Sequence, residues 1–324
     1  MSEATLSNAL SKQAQLKVKK RFFSDFRAHK TYYFMLIPMI IFFVVFAYLP
    51  MFGLYYAFVD FDFSKGIFSP FVGLKNFEFL FHGGLDSIIW KITKNTLLYN
   101  LAFIVLNNVF QISVAILLRE LTYKKFVKTT QTLMFMPYFV SMVIVGSIVY
   151  NLFNFNYGVI NSAFIAMGFE KFDFYASPEA WPFIIVAIEI WKGLGYGSVI
   201  YLASIMGMDE SIYEAAYVDG ASKWQRILHI TLPLLKPTVI VLVLFSLGGI
   251  MRGQFDLFWN VIGQNGLLLN ATDIIDTYVY RSLTVNFSLG LGTAAGLYQS
   301  VFGLVVILTV NTIVRKVDKE NSLF

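Results

Sequence analysis

An all-α, polytopic membrane protein with six transmembrane helices is the fold class that this sequence predicts. The first observation behind it is composition. Of 324 residues, 57% are hydrophobic and 14% charged, against about 45–50% and about 25% in a soluble domain. With 18% aromatic residues and 34 phenylalanines, the chain carries more apolar surface than one soluble core can hide. The second observation is that charges are missing from runs long enough to cross a bilayer, which takes about 20 mostly apolar residues. This balance excludes disorder, a nucleic-acid-binding tail protein and an ordinary soluble enzyme. The chain has no cysteine, which excludes disulfides, thiolate metal sites and cysteine nucleophiles.

The first uncharged run extends from Thr31 to Val59. It is about twice as long as the apolar region of a signal peptide, and no A-x-A cleavage site follows, so it reads as a retained span. Pro38 and Pro50 are expected to bend it. The segment from Asp60 to Trp90, with Gly66, Pro70, Gly73, Gly83 and Gly84, reads as a folded loop. The second run covers Asn95–Leu118. The third, Thr129–Phe169, is too long for one helix, so its end must be a loop. The fourth, Trp181–Met206, is interrupted by Glu189 and Lys192. The fifth, Pro237–Ile262, contains Arg252 and Asp256. The sixth covers Ser288–Val314.

Basic residues set the orientation. With both termini placed inside, 17 of the 25 Lys and Arg residues fall in inside segments, as the positive-inside rule asks. The expected layout is a basic cytoplasmic tail (1–31), a six-helix transmembrane domain (32–315) with a structured loop at 207–237, and a short cytoplasmic tail (316–324).

Several chemistries lack their motifs. There is no G-x-x-x-x-G-K-[ST] to cradle ATP phosphates and no H-E-x-x-H, and the three histidines His29, His82 and His229 are far apart. Gly193, Gly195 and Gly197 have the look of a dinucleotide turn but sit inside a span. Close helix packing, or a local unwinding, explains them better. No metal site is expected.

The loop at 207–237 carries the strongest signal. Ser211 and Glu214 have capping-box spacing, with Asp209 as an alternative cap. Ile212, Tyr213, Ala216 and Tyr217 lay an apolar stripe along a short helix. Gly220 is placed to end it in the left-handed conformation, and a long charged side chain is not expected to fit there. Ser222 can cap a second helix carrying Trp224, Ile227 and Leu228, which Pro233 and Pro237 should stop before the next span. From pattern alone this is either an amphipathic hairpin resting on the bilayer or a docking element for a cytoplasmic partner.

Glu214-Ala215-Ala216, three residues, Gly220, nine residues, then Ile230-Thr-Leu232-Pro233 resembles, at every fixed position and both spacings, the EAA loop of ABC importer permeases. The chain thus looks like a binding-protein-dependent permease of the type I importer (MetI-like) fold over about Tyr32–Arg315. Tyr48–Gly53, Val72–Phe77, Met136–Phe139, Trp191–Ser198 and Asp273–Arg281 are similar to the LplB-like oligosaccharide and polysaccharide permeases. The resemblance implies that this loop seats in an ATPase subunit. Glu214 would cap and pair there, Gly220 would permit the turn beside Asp219, and Trp224 and Ile227 would form the wedge. It further implies a second, similar permease, two ATPase subunits that hold ATP and Mg, an extracytoplasmic solute-binding protein and a bacterial cytoplasmic membrane. No cofactor is expected in this chain, and no enzymatic activity.

Ionisable residues within spans are functional candidates by default. Glu189 and Lys192 are i, i+3, and Arg252 and Asp256 are i, i+4, so each pair could simply bridge. Alternatively they line a solute pathway with Trp191, Tyr196, Gln254, Trp259 and Asn260, where rings stack on sugar faces and amides bond hydroxyls. Asn151, Asn154 and Asn156 are weaker candidates. The expected function is import of an oligosaccharide, polysaccharide-derived or acidic, by alternating access. The alternatives are import of a non-sugar solute, an ion-coupled carrier, which would function without an ATPase, or a membrane anchor or receptor without transport.

Overall fold

The computed structural model describes residues 29–81, 84 and 87–317. Most of the two tails, and His82 and Gly83, lie outside the described residues. Among the described residues the secondary structure is helical apart from one isolated antiparallel bridge, Val59 to Phe71. They divide into two compact units between Tyr55 and Tyr56.

The first unit contains α1 (Lys30–Phe43), in which no residue is buried. Lipid is the solvent such a surface requires, because a soluble protein cannot keep so many exposed apolar side chains. Pro38 lies within regular α-helix, and the expected distortion comes later. A π-turn at Val44–Tyr48 leads into a 3-10 segment, Leu49–Phe58, that contains Pro50.

In the second unit, Asn76 organises the loop after the first span by donating to the carbonyls of Ala57 and Val59 at 3.1 and 2.8 Å. Helix α2 (Ile88–Glu120) starts before the uncharged run and takes in Lys91 and Lys94. At about 50 Å it exceeds the hydrocarbon thickness, so its charged first turns extend beyond the apolar layer. The third run is divided. Helix α3 (Lys124–Phe139) and α4 (Met142–Phe153) meet at 96°. Pro137 lies at the end of α3, and Ser141 restarts the helix by accepting from the amide of Ile144. A turn and the short α5 (Val159–Ala166) follow. With that bent pair taken as one span, six segments are long and apolar enough to cross a membrane.

Helix α6 (Trp181–Met206) is unbroken through its glycines, so the packing explanation holds and the unwinding does not. A Cβ on Gly195 would run into the Met134 backbone, and one on Gly197 into the Gln111 side chain. Glycine at these positions lets α6 lie directly on α3 and α2. We expect Gly195→Leu to force α3 and α6 apart, at a cost of about 2 kcal/mol. A lowered melting temperature in detergent checks this.

Helices α7 (Glu210–Val218) and α8 (Lys223–Arg226) form the hairpin. A π-turn, Ile227–Thr231, joins α8 to α9 (Leu232–Gly248). The prolines therefore do not stop the second hairpin helix. Pro233 lies just past the π-turn and Pro237 further along α9, both inside one continuous helix. The opposite correction applies at the far end. The fifth span stops at Gly248 rather than Ile262, and residues 249–254 form a break before α10 (Phe255–Ile262). Adjacent glycines at 248 and 249 favour termination there. After α11 (Leu269–Thr272) and α12 (Ile275–Thr284), α13 (Leu289–Val317) forms the last span.

Among the described residues four buried clusters form the core, the smallest being Ala57, Phe77 and Ala294. Tyr99, Val145, Trp181, Ile185 and Phe258 join α2, α4, α6 and α10. Ile92, Ile275, Tyr278 and Ala295 join α2, α12 and α13. Ala115, Leu118, Tyr201, Ile205 and Leu235 join the other end of α2 to α6 and α9.

Candidate functional site

The hairpin is built by caps. Asp209, not Ser211, caps α7, accepting the Ser211 amide at 2.9 Å. That bond holds the Asp209 carboxyl below its usual pKa. Gly220 has φ +79°, and the Ala221 amide returns to the Ala216 carbonyl at 2.9 Å, closing a Schellman-type end. Ser222 and Gln225 form a full capping box on α8. Glu214 is thus released from capping. It is exposed, and among the described residues no hydrogen bond or ion pair reaches its carboxylate.

The apolar stripe divides. Tyr213 is buried, whereas Ile212, Tyr217, Val218, Trp224 and Leu228 are exposed, Trp224 at 73% and Val218 at 84%. Ala215, Asp219 and Gly220 are exposed as well, and Ala216, Ile227 and Ile230 are half-buried. Leu232 and Pro233 continue the exposed side into α9. Arg226 lies over the Tyr217 ring at 5.7 Å. The result is a small rigid knob with an aromatic and aliphatic surface and a free carboxylate.

The intramembrane charges do not pair as their spacing suggested. Lys192 donates to three main-chain carbonyls at the α3–α4 break: Pro137 at 3.1 Å, Tyr138 at 3.0 Å and Val140 at 2.5 Å. It thereby satisfies acceptors left over at a helix end, where a cation is also favoured by the helix dipole. Glu189 instead accepts from Gln254 at 3.2 Å, bridging α6 to the break after α9. Arg252 precedes α10, so it and Asp256 never share a helix face. Tyr196 stacks on Tyr138 with centroids 4.9 Å apart, and Trp191 is exposed beside them in sequence. Trp259 stacks on Phe255, and the Tyr280 ring meets both. The Asn260 amide turns back to the Asp256 carbonyl at 2.7 Å. Asn154 is a buried loop-holder: its side chain accepts the amides of Asn156 and Tyr157.

The break at 249–254 has supports that the sequence pattern did not reveal. Asn100 donates to the carbonyls of Ile250 and Arg252 at 3.0 and 3.2 Å. Asp276 accepts the Gly253 amide at 2.6 Å and the Gln299 amide at 3.0 Å. Gln299 also donates to the Met251 carbonyl. A cavity of about 350 Å³ lies beside it, lined by Arg252, Gln299, Ser300, Gly303 and Leu304 among others. Asn100 and Gln299 are amides within apolar runs, but other amides share those runs, so nothing in the sequence singled them out. Among the described residues no group of three or more His, Asp or Glu is placed to hold a metal ion.

Comparison with known proteins agrees with this arrangement. Residues 112–319 match the family described as the binding-protein-dependent transport system inner membrane component. The chain is 33% identical over 292 residues to protein LplB of Bacillus subtilis (strain 168), covering 90% of each. It is 33% identical over 308 residues to the polygalacturonan/rhamnogalacturonan transport system permease protein YteP of the same organism, covering 93% of each. A chain in the crystal structure of a bacterial ABC transporter involved in import of the acidic polysaccharide alginate superposes with a TM-score of 0.82 at 33% identity. That match covers 92% of this chain and 99% of the other. The same transporter type has been solved with an alginate pentasaccharide-bound periplasmic protein. On the matched family and the shared fold together, this integral membrane protein belongs to the binding-protein-dependent inner membrane components, as an ABC transporter permease with the MetI-like fold.

Proposed function

We propose that this chain is one of two permease subunits of an ATP-driven importer of acidic oligosaccharides. The 207–237 hairpin carries the reading. Its knob exposes Trp224, Tyr217, Val218 and Glu214, a surface that fits a cleft in a partner ATPase. ATP and Mg belong to that partner, and this chain does no covalent chemistry. Both termini are cytoplasmic, with tails at 1–31 and 316–324 flanking the 32–315 domain. A solute-binding protein delivers the sugar on the outer side of a bacterial cytoplasmic membrane. Closure of the ATPases moves the hairpin as a rigid body and switches the pathway between outward and inward access.

The acidic class rests on Arg252 beside its cavity and on the similarity to permeases for galacturonan- and alginate-type polymers. The pathway would run past Glu189, Gln254, Arg252, Asp256 and the Trp191, Tyr196 and Trp259 rings, with Asn260 at its margin. Lys192 serves the α3–α4 break instead. To test this, the chain is co-purified with its partners, reconstituted in liposomes and supplied with binding protein plus short oligogalacturonates or neutral maltooligosaccharides. ATP hydrolysis and uptake stimulated by the acidic sugars alone are expected. Stimulation by the neutral series would overturn the acidic assignment, and uptake without an ATPase would overturn the importer.

A further inference from the structure

We infer that Arg119 and Tyr213 are positioning residues that tie the end of α2 to the hairpin, so that three spans rather than two follow its motion. The inference rests on the proposed docking of the hairpin. The covalent chain connects the hairpin only to α6 and α9. Tyr213, however, is buried at 7% exposure in a helix whose other large side chains face outward. The Arg119 guanidinium at the end of α2 lies 3.8 Å from its ring centroid. Its hydroxyl lies 3.3 Å from the Met208 sulfur, just past α6, and 3.1 Å from the hydroxyl of Thr231. Thr231 is buried in the π-turn that begins the next span. Beside this node, Lys223 and Glu120 form a second link between α8 and α2 at 3.5 Å. One ring thus joins α2, the end of α6, α7 and the π-turn. A half-buried cation–π contact of this kind is stronger than an exposed surface pair, and the solvated Lys223–Glu120 pair adds direction more than strength.

The test uses the whole transporter in liposomes, with binding protein loaded with oligogalacturonate. Arg119→Gln is expected to assemble and keep basal ATP hydrolysis while its stimulated-to-basal ratio falls about tenfold. Arg119→Lys, which keeps a cation over the ring, should recover most of that ratio, and Tyr213→Phe should do likewise. A parental ratio in Arg119→Gln overturns the tie. Gly220→Arg is run alongside. If it too keeps the parental ratio, the docking reading itself fails; if it loses the ratio while Arg119→Gln keeps it, only the tie fails. A second measurement needs no destabilising change, because the chain has no native cysteine. Spin labels at Y123C and E210C, both exposed positions away from the docking surface, should hold one distance in the nucleotide-free and vanadate-trapped states. A distance that changes between the states overturns the tie.

Discussion

Lys192→Met is expected to melt far below the parent protein in detergent, with a loss of about 3–5 kcal/mol. The ammonium group serves three carbonyls at a 96° break between two helices. Methionine has nearly the right length and no donor. Two of the three bonds are part-buried, where water replaces a lost partner only incompletely. The end of α3 would then unravel or straighten, taking the Tyr138–Tyr196 stack with it. Thermal unfolding followed by size-exclusion chromatography measures the effect. If Lys192 acted on solute instead, the variant would melt with the parent and lose only uptake, and the structural role would have to be abandoned.

Gly220→Arg is expected to reach the membrane at normal levels and to reduce uptake by about ten- to hundredfold. A Cβ at this position meets nothing within 4 Å in this chain. The obstacle is φ +79°, which costs a non-glycine residue about 1–2 kcal/mol. Relief of that strain would swing α8 relative to α7 and misplace Trp224. Gly220→Asn is the control, since Asn tolerates the left-handed region better than other residues, and it should keep most of the uptake. Immunoblotting of membranes together with uptake separates loss of protein from loss of coupling. Normal uptake by Gly220→Arg would remove the hairpin from the mechanism.

The spans were legible because lipid asks only for apolar length, and uncharged runs display that directly. Where helices end inside those runs was not legible. Nothing local marks Gly249–Gln254 as a break apart from its glycines; Asn100, Asp276 and Gln299 hold it from elsewhere in the chain. The same applies to charge. Glu189 and Lys192 have helical spacing for a pair, but spacing cannot show that a helix end more than fifty residues earlier offers three carbonyls. In the hairpin, turn and cap chemistry is local, so Gly220 and Ser222 were placed correctly. Asp209 displaced Ser211 as the cap because the helix begins two residues earlier than the spacing suggested. Tyr213 was grouped with Ile212 and Tyr217, yet it is buried while they are exposed; it packs on Arg119, a contact that sequence distance conceals.

The π-turn at Ile227–Thr231 has a rotational consequence. An α-helix advances about 100° per residue, and a π-turn spends one residue more than an α-turn on the same loop. Everything beyond Thr231 is therefore offset in angular phase from everything before it. Trp224 and Leu228 can keep the bearing that presents them outward, while Leu235 and Leu244 keep a different bearing, buried within the protein. An apolar pattern that falls out of step when counted through residues 223–248 is thus the trace of two faces aimed independently along one continuous rod.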